Sequence, residues 1–129
     1  MVQEHEHVKI LKELSKQFQP LFQNSPEGIY IYIDELHKIC NERFAQMLGL
    51  TVAEWEAMEG FVNKHAAEKD QEMIVRNYHQ HIHQQLTPTR FRFQAIRKDG
   101  STFTGEMDMI PFPWDGEMLA LHFFREVKA

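Results

Sequence analysis

Eight histidines in 129 residues put imidazole, a common metal ligand and a base near neutral pH, first among the side chains able to do chemistry. Three of them, His79, His81 and His83, alternate along one stretch. On a helix that spacing sends them in different directions. Ile74, Tyr78, Ile82 and Gln85 mark an inward face, and His81 falls on it. His79 and His83, four residues apart, point outward together and could hold zinc or nickel weakly. Two ligands do not make a site, so no metal is expected. His81 reads as a hydrogen-bonded histidine of the core or of a pocket edge. The single cysteine, Cys40, rules out a disulfide framework or a cysteine zinc site within one chain and reads as a buried structural thiol. Met47, Met58, Met73, Met107, Met109 and Met118 read as core filling that could also line an adaptable pocket. There is no glycine-rich phosphate loop, no Ser/His/Asp order and no carboxylate pair on one inward face. No enzyme is expected.

The elements that must position these groups are plainest at residues 90–110. Phe91, Phe93 and Ala95 alternate with Arg90, Arg92 and Gln94, and Phe103, Gly105, Met107 and Met109 alternate with Thr102, Thr104, Glu106 and Asp108. A two-residue Asp99-Gly100 turn would set Phe93 opposite Glu106 and put the apolar faces out of phase. A three-residue loop, Lys98-Asp99-Gly100 with a left-handed glycine, pairs Phe93 with Gly105 and Phe91 with Met107. It also sets Arg92 against Glu106 and Arg90 against Asp108, opposite charges across the ladder. The result is a hairpin with one dry face and an exposed charged one, on which Arg90, Arg92 and Arg97 stand.

Before the hairpin, residues 4–19 read as a helix with Val8, Leu11, Leu14 or Ser15, and Phe18 on one face, ended or kinked by Pro20. Residues 29–33 and 37–40 read as short strands separated by a turn at Asp34-Glu35. Asn41 caps a short helix closed by Gly49. Thr51 to Glu54 has capping-box spacing, and Gly60 breaks the helix it starts. Residues 66–85 read as the longest helix. The final strand, residues 117–126, is apolar on both sides, with Leu119, Leu121 and Phe123 on one and Met118, Ala120 and Phe124 on the other. Such a strand is covered on both sides. Tyr30 and Tyr32 lie opposite Ile29, Ile31 and Ile33, and the sequence leaves open which set faces the core. One domain fits this length. A net charge of −5 and no basic run argue against nucleic acid. No apolar stretch is long enough for a membrane span, and the first residues are no signal peptide, so a cytoplasmic setting is expected.

In this order the motifs resemble a PAS domain, the sensory-box module of signalling proteins. NSPEGIYIYID (residues 24–34) is similar to the family's "NSPDGI" turn and first strand. ICNERFAQMLGLTVAEW (39–55) resembles its "VNxAFxxLxGYSxEEL" segment, with Asn41, Phe44, Leu48, Gly49 and Glu54 in place. RFRFQAIRKDGSTFTGEMDMIPF (90–112) resembles the "ExRxxRKDGSxxWxExxxxPI" hairpin, and FFREV (123–127) the closing "xxRDIT". Of the family's "HPDD" segment only His65 remains. Arg125-Glu126-Val127-Lys128 stands where the family closes on Arg-Asp-Ile-Thr, so the charge is kept at Glu126 and the hydroxyl is missing at Lys128. The resemblance implies an α+β PAS fold: a five-stranded antiparallel sheet in the order 2-1-5-4-3, helices on one face, residues 1–20 as a flanking helix and 21–129 as the domain.

Function follows from the resemblance as a further set of expectations: a non-catalytic sensory or regulatory module, binding a small ligand or partner and signalling through dimer geometry. An effector such as a kinase or cyclase would follow in a longer parent protein. The alternatives are a ligand-free dimerisation module and a ketosteroid-isomerase-like enzyme, which needs an inward Asp or Tyr acting on substrate. No cofactor is identified. Haem through His81 is disfavoured, and Cys40 ends a strand well before the helix that carries the photoactive cysteine of light-sensing relatives, which sets flavin aside. The expected pocket is lined by Tyr78, His81, Ile82, Phe91, Phe93, Met107 and Met109, with room left by Ala95 and Gly105. Collapse of aromatic rings into that room is the competing outcome. A homodimer is expected through the stripe of Val8, Leu11 and Phe18 and the outer face of the last strand.

Overall fold

A computed structural model describes residues 2–83 and 88–128. The helices are α1 (Val2–Gln17), α2 (Gln19–Asn24), α3 (Glu42–Met47), α4 (Val52–Glu56), α5 (Phe61–His65) and α6 (Glu68–His83). The strands are β1 (Gly28–Asp34), β2 (His37–Cys40), β3 (Thr89–Ile96), β4 (Thr102–Trp114) and β5 (Glu117–Val127). They form one antiparallel sheet in the order β2-β1-β5-β4-β3. The hairpin has the expected register, with Phe93 opposite Gly105, Phe91 opposite Met107, Arg92 opposite Glu106 and Arg90 opposite Asp108. Gly100 supplies the left-handed turn at φ 90°.

The capping chemistry legible in the sequence is in place. Asn41 is buried, and its Oδ1 accepts from both Ile29 N and Phe44 N at 2.9 Å. Its Nδ2 donates to the carbonyls of Phe22 and Glu27, so one amide joins α2, β1 and α3. Thr51 and Glu54 form the reciprocal capping box of α4. The long helix starts at Glu68 and not at Ala66. Ala66 bridges to Ala95 on β3, and Ala67 N donates to Gln94 O, so both residues are spent on the sheet before the helix begins. The expected inward residue Gln85 lies outside the described residues.

The sheet is two-sided. Tyr30 and Tyr32 face α3–α6, where Phe44, Trp55, Phe61, Phe93, Met107 and Phe124 form the larger core. Ile31 and Ile33 face the other way, into a second core with Ile10, Leu14, Ile39 and Leu119. The outer face is therefore covered by α1 of the same chain. The buried line on α1 is His7, Ile10 and Leu14, while Val8, expected in the buried stripe, is 40% exposed. The helix is rotated by about one residue because His7 is anchored, its Nδ1 3.0 Å from Asp34 Oδ2 and its Nε2 3.4 Å from Glu117 Oε1.

Beyond α1 the outer face is charged. Arg125 on β5 reaches Glu27 at 2.8 Å, Glu106 at 2.7 Å and Asp108. Arg90 reaches Asp108 at 2.6 Å and Arg92 reaches Glu106 at 2.9 Å. On the inner side, Lys38 is buried with its Nζ donating to the carbonyls of Glu35, Glu56 and Met58 and lying 5.3 Å from the Trp55 ring. Those carbonyls include the last of α4, where a cation is favoured.

Hydrogen bonds from Arg90, opposed by partial burial and reinforced by Arg125, hold the Asp108 carboxyl below the usual carboxylate range. Its folded pKa is lowered, so its stabilising contribution is full above about pH 4 and is lost as pH falls through the lowered value. Asp108→Asn should cost about 1–2 kcal/mol in urea unfolding near neutral pH. That deficit should shrink as pH falls below about 4. An equal deficit at both pH values would contradict this role.

Candidate functional site

One row of side chains crosses the inner face of the sheet. Tyr30 on β1 pairs with His122 on β5, and His122 pairs with Met109 on β4. The Tyr30 and His122 rings stack face to face, 3.8 Å apart and 7° from parallel. This row floors a cleft of about 370 Å³. Ile74, Val75, Tyr78 and His79 of α6 form one wall, Phe61 and Val62 of α5 another, and Tyr32, Glu35 and Phe91 close the ends. Tyr32 meets Tyr78 edge-on at 5.2 Å, and its hydroxyl donates to Glu35 Oε1 at 3.3 Å. Glu35 Oε2 in turn accepts from Gly60 N at 3.0 Å, which fixes the carboxylate at the rim.

The electrostatics keep the phenols protonated. Burial, then the neighbouring Tyr32, Tyr78 and Glu35, push the Tyr30 hydroxyl well above its ordinary range. Burial and the negative charges of Asp34 and Glu35 push Tyr78 up to about 12. Tyr32 is raised in the same way, first by burial and then by Glu35. At neutral pH such phenols donate and accept hydrogen bonds without carrying charge. An apolar cleft with a few fixed polar groups, of this size, is the form of a small-molecule site.

Of the residues expected to line a pocket, Tyr78, Phe91 and Met109 lie around the cleft. Phe93 and Met107 do not. Both are buried in the core around Phe124, with Phe93 stacked on it at 5.5 Å and Met107 paired with it across β4 and β5. The room expected at Gly105 is filled by that ring, since a Cβ built there would lie 2.3 Å from Phe124 Cε1. For His81 and Ile82 the helical backbone is described, and their side chains lie outside the described residues. His79 is exposed, as expected, yet it stands at the cleft's edge.

Phe61 and His122 are lining residues that the sequence does not single out, whereas Ile74 is expected only as inward on the long helix and Tyr30 only as one of two sets that could face the core. For His122 a signal was available. It is an imidazole at the inward phase of a strand whose other inward residues are Ala120 and Phe124. Cys40 is buried, and burial with the nearby Glu56 pushes its thiol up, which makes it a poor nucleophile. Among the described residues one trio brings metal-ligating atoms together, His7, Asp34 and His37, on the side of the sheet away from the cleft.

A sequence model of the PAS fold matches residues 37–122. No curated protein matches the chain. Among solved structures, the PAS domain of an HTR-like protein from Haloarcula marismortui is 24% identical with a TM-score of 0.70, covering 95% of this chain and 99% of that one. A domain of a sensory box sensor histidine kinase/response regulator from Geobacter sulfurreducens is 22% identical with a TM-score of 0.68, covering 89% and 96%. A PAS domain of a LuxR-family transcriptional regulator from Burkholderia thailandensis, solved in complex with ethanol, is 15% identical with a TM-score of 0.66, covering 87% and 98%.

Because Phe124 occupies the space over Gly105, Gly105→Ala should overpack this end of the core and destabilise the chain by about 1–3 kcal/mol. Chemical denaturation measures it. A neutral or stabilising effect would mean that the ring moves aside and that the room expected at Gly105 is real.

Proposed function

The chain belongs to the PAS fold family, and from that premise we propose that it is a sensory or regulatory module whose cleft takes a small, neutral, mostly apolar molecule. The observation that carries the reading is the cleft floored by the Tyr30–His122 stack and walled by α6. Uncharged phenols on Tyr30 and Tyr78 offer hydrogen bonds to one or two polar atoms of a guest. The carboxylate of Glu35 at the rim disfavours an anion. The related PAS domain solved with ethanol supports a small polar-apolar guest in this fold. The proposal assigns no turnover to the cleft.

The signalling part of the proposal places residues 1–20 as a flanking helix and 21–129 as the sensory domain, in a cytoplasmic protein with an effector such as a kinase. The likeness to a domain of a histidine kinase/response regulator supports the effector class. No described helix is long and apolar enough to cross a membrane. A homodimer enters the proposal in altered form. Because α1 covers its own sheet, a second copy would meet the solvent side of α1, near exposed Val8 and Leu36.

The filled space over Gly105 favours a second reading, a ligand-free interaction module with a collapsed core. The two separate experimentally. Native mass spectrometry of freshly purified protein should reveal a retained molecule, or a panel of small neutral compounds should include one raising Tm by about 3 °C or more. Ile74→Trp, which fills the cleft, should abolish that response. No retained molecule and no responding compound, with Ile74→Trp as stable as the parent, would overturn the sensor reading in favour of the interaction module.

A further inference from the structure

The clasp between α1 and the sheet is built from metal-ligand atoms. His7 Nδ1 lies 3.0 Å from Asp34 Oδ2, and His37 Nδ1 lies 2.8 Å from Asp34 Oδ1. The two imidazoles meet edge-to-face with centroids 5.4 Å apart. One donor atom from each of the three residues lies within 4.8 Å of the others. We propose that His7, Asp34 and His37 form a site for one divalent transition ion of the zinc class, which locks α1 onto the sheet.

Three features of the cluster point this way. The donors are two imidazole nitrogens and one carboxylate oxygen, a set suited to zinc, cobalt or nickel and poorly suited to calcium or magnesium. They come from three places, α1, the end of β1 and the start of β2, so the frame is set by tertiary structure and not by one flexible segment. Glu117 then supplies what a metal-bound histidine needs. Its Oε1 lies 3.4 Å from His7 Nε2, where it can accept that N–H and leave the Nδ1 lone pair aimed at Asp34 and His37. A carboxylate behind a ligating histidine fixes its tautomer in this way.

The site is dry on the histidine side and open on the other. The side chains of His7 and His37 are 7% and 10% exposed, and that of Asp34 is 43% exposed. An ion would thus hold three protein ligands and keep a fourth position toward solvent for water, the arrangement of an open zinc site. Metal–ligand bonds of about 2.0–2.1 Å set tetrahedral donors about 3.3 Å apart. The two hydrogen-bonded separations to Asp34 would therefore widen by a few tenths of an ångström as an ion takes its place among the donors, and no donor separation, all being within 4.8 Å, would have to close by more than about 1.5 Å. The pair His79 and His83, four residues apart in the sequence, offers only two ligands and is a separate feature.

Zn2+ titration of the full chain against a chromophoric chelator tests the proposal, with far-UV circular dichroism to establish that each variant is folded. The expected result is one Zn2+ per chain, with affinity lowered at least about tenfold by Asp34→Asn, by His37→Gln and by Glu117→Gln. The double variant His79→Gln/His83→Gln should bind as the parent does. Zn2+ should also raise the Tm of the parent and not that of Asp34→Asn. Should His37→Gln fail to fold, Asp34→Asn decides, since it keeps the shape of a half-exposed side chain. Absence of stoichiometric binding by the parent overturns the proposal. So does loss of binding in the His79/His83 variant with retention in Asp34→Asn.

Discussion

Two central strands that are apolar on both sides govern this molecule. β5 presents Leu119 and Leu121 to one side and Ala120 and Phe124 to the other, and β1 beside it alternates Ile29 and Ile31 with Tyr30 and Tyr32. Neither face of such strands can stay in water, because each fully buried side chain of this size is worth about 1.5–3 kcal/mol. The chain meets the demand with α3–α6 on the inner side and α1 on the outer. The charged ladder around Arg125 begins where α1 stops covering the sheet, so the outer face is dry at one end and ionic at the other. Order of strands, placement of helices and position of the cleft all follow from this division.

The inner face is itself divided. At the Gly105 end, Phe124 lies directly over the glycine and joins Phe93, Phe103 and Met107 in a close-packed core. At the other end, Ala120 opposite Tyr32 presents no bulk, and α6 stands off the sheet over Tyr30, His122 and Met109. A guest would therefore rest on β1 and β5, the strands whose other side carries α1. Adjacent residues of one strand face the two layers: Tyr30 floors the cleft and Ile31 packs in the core with Leu14. This gives a sensory reading of the cleft a short physical route to α1, through the pleat of a single strand. Tyr30 and His122 are buried and stacked on each other, and close-packed interiors pass displacement on instead of absorbing it.

Much of the fold was legible because local chemistry and long-range pattern agreed. Opposed charges and the phase of Phe91, Phe93 and Gly105 set the hairpin register, and Asn41 and the Thr51–Glu54 box set helix starts. The two-sided final strand placed itself at the sheet's centre. The orientation of Tyr30 and Tyr32 was not legible, because both faces of β1 are buried and alternation alone cannot say which is which. The phase of α1 was missed for a related reason. His7 counts as polar in a periodicity reading, yet its partners Asp34 and Glu117, 27 and 110 residues away, make it a buried residue and turn Val8 outward. The cleft lining was half legible: the pattern placed Tyr78, Phe91 and Met109 around it, and it left two outcomes for the room over Gly105, of which the filled one, by Phe124, is the one adopted.

This architecture depends on α1 being part of the core of its own chain. Leu14 is fully buried against Ile31, Ile39 and Leu119. Equilibrium urea unfolding of Leu14→Ala, compared with Val8→Ala on the exposed side of the same helix, tests this directly. Leu14→Ala should lose about 2–5 kcal/mol and Val8→Ala no more than about 0.5 kcal/mol. Equal and small effects from both would contradict this architecture, and would mean that something other than α1 covers the outer face of the sheet.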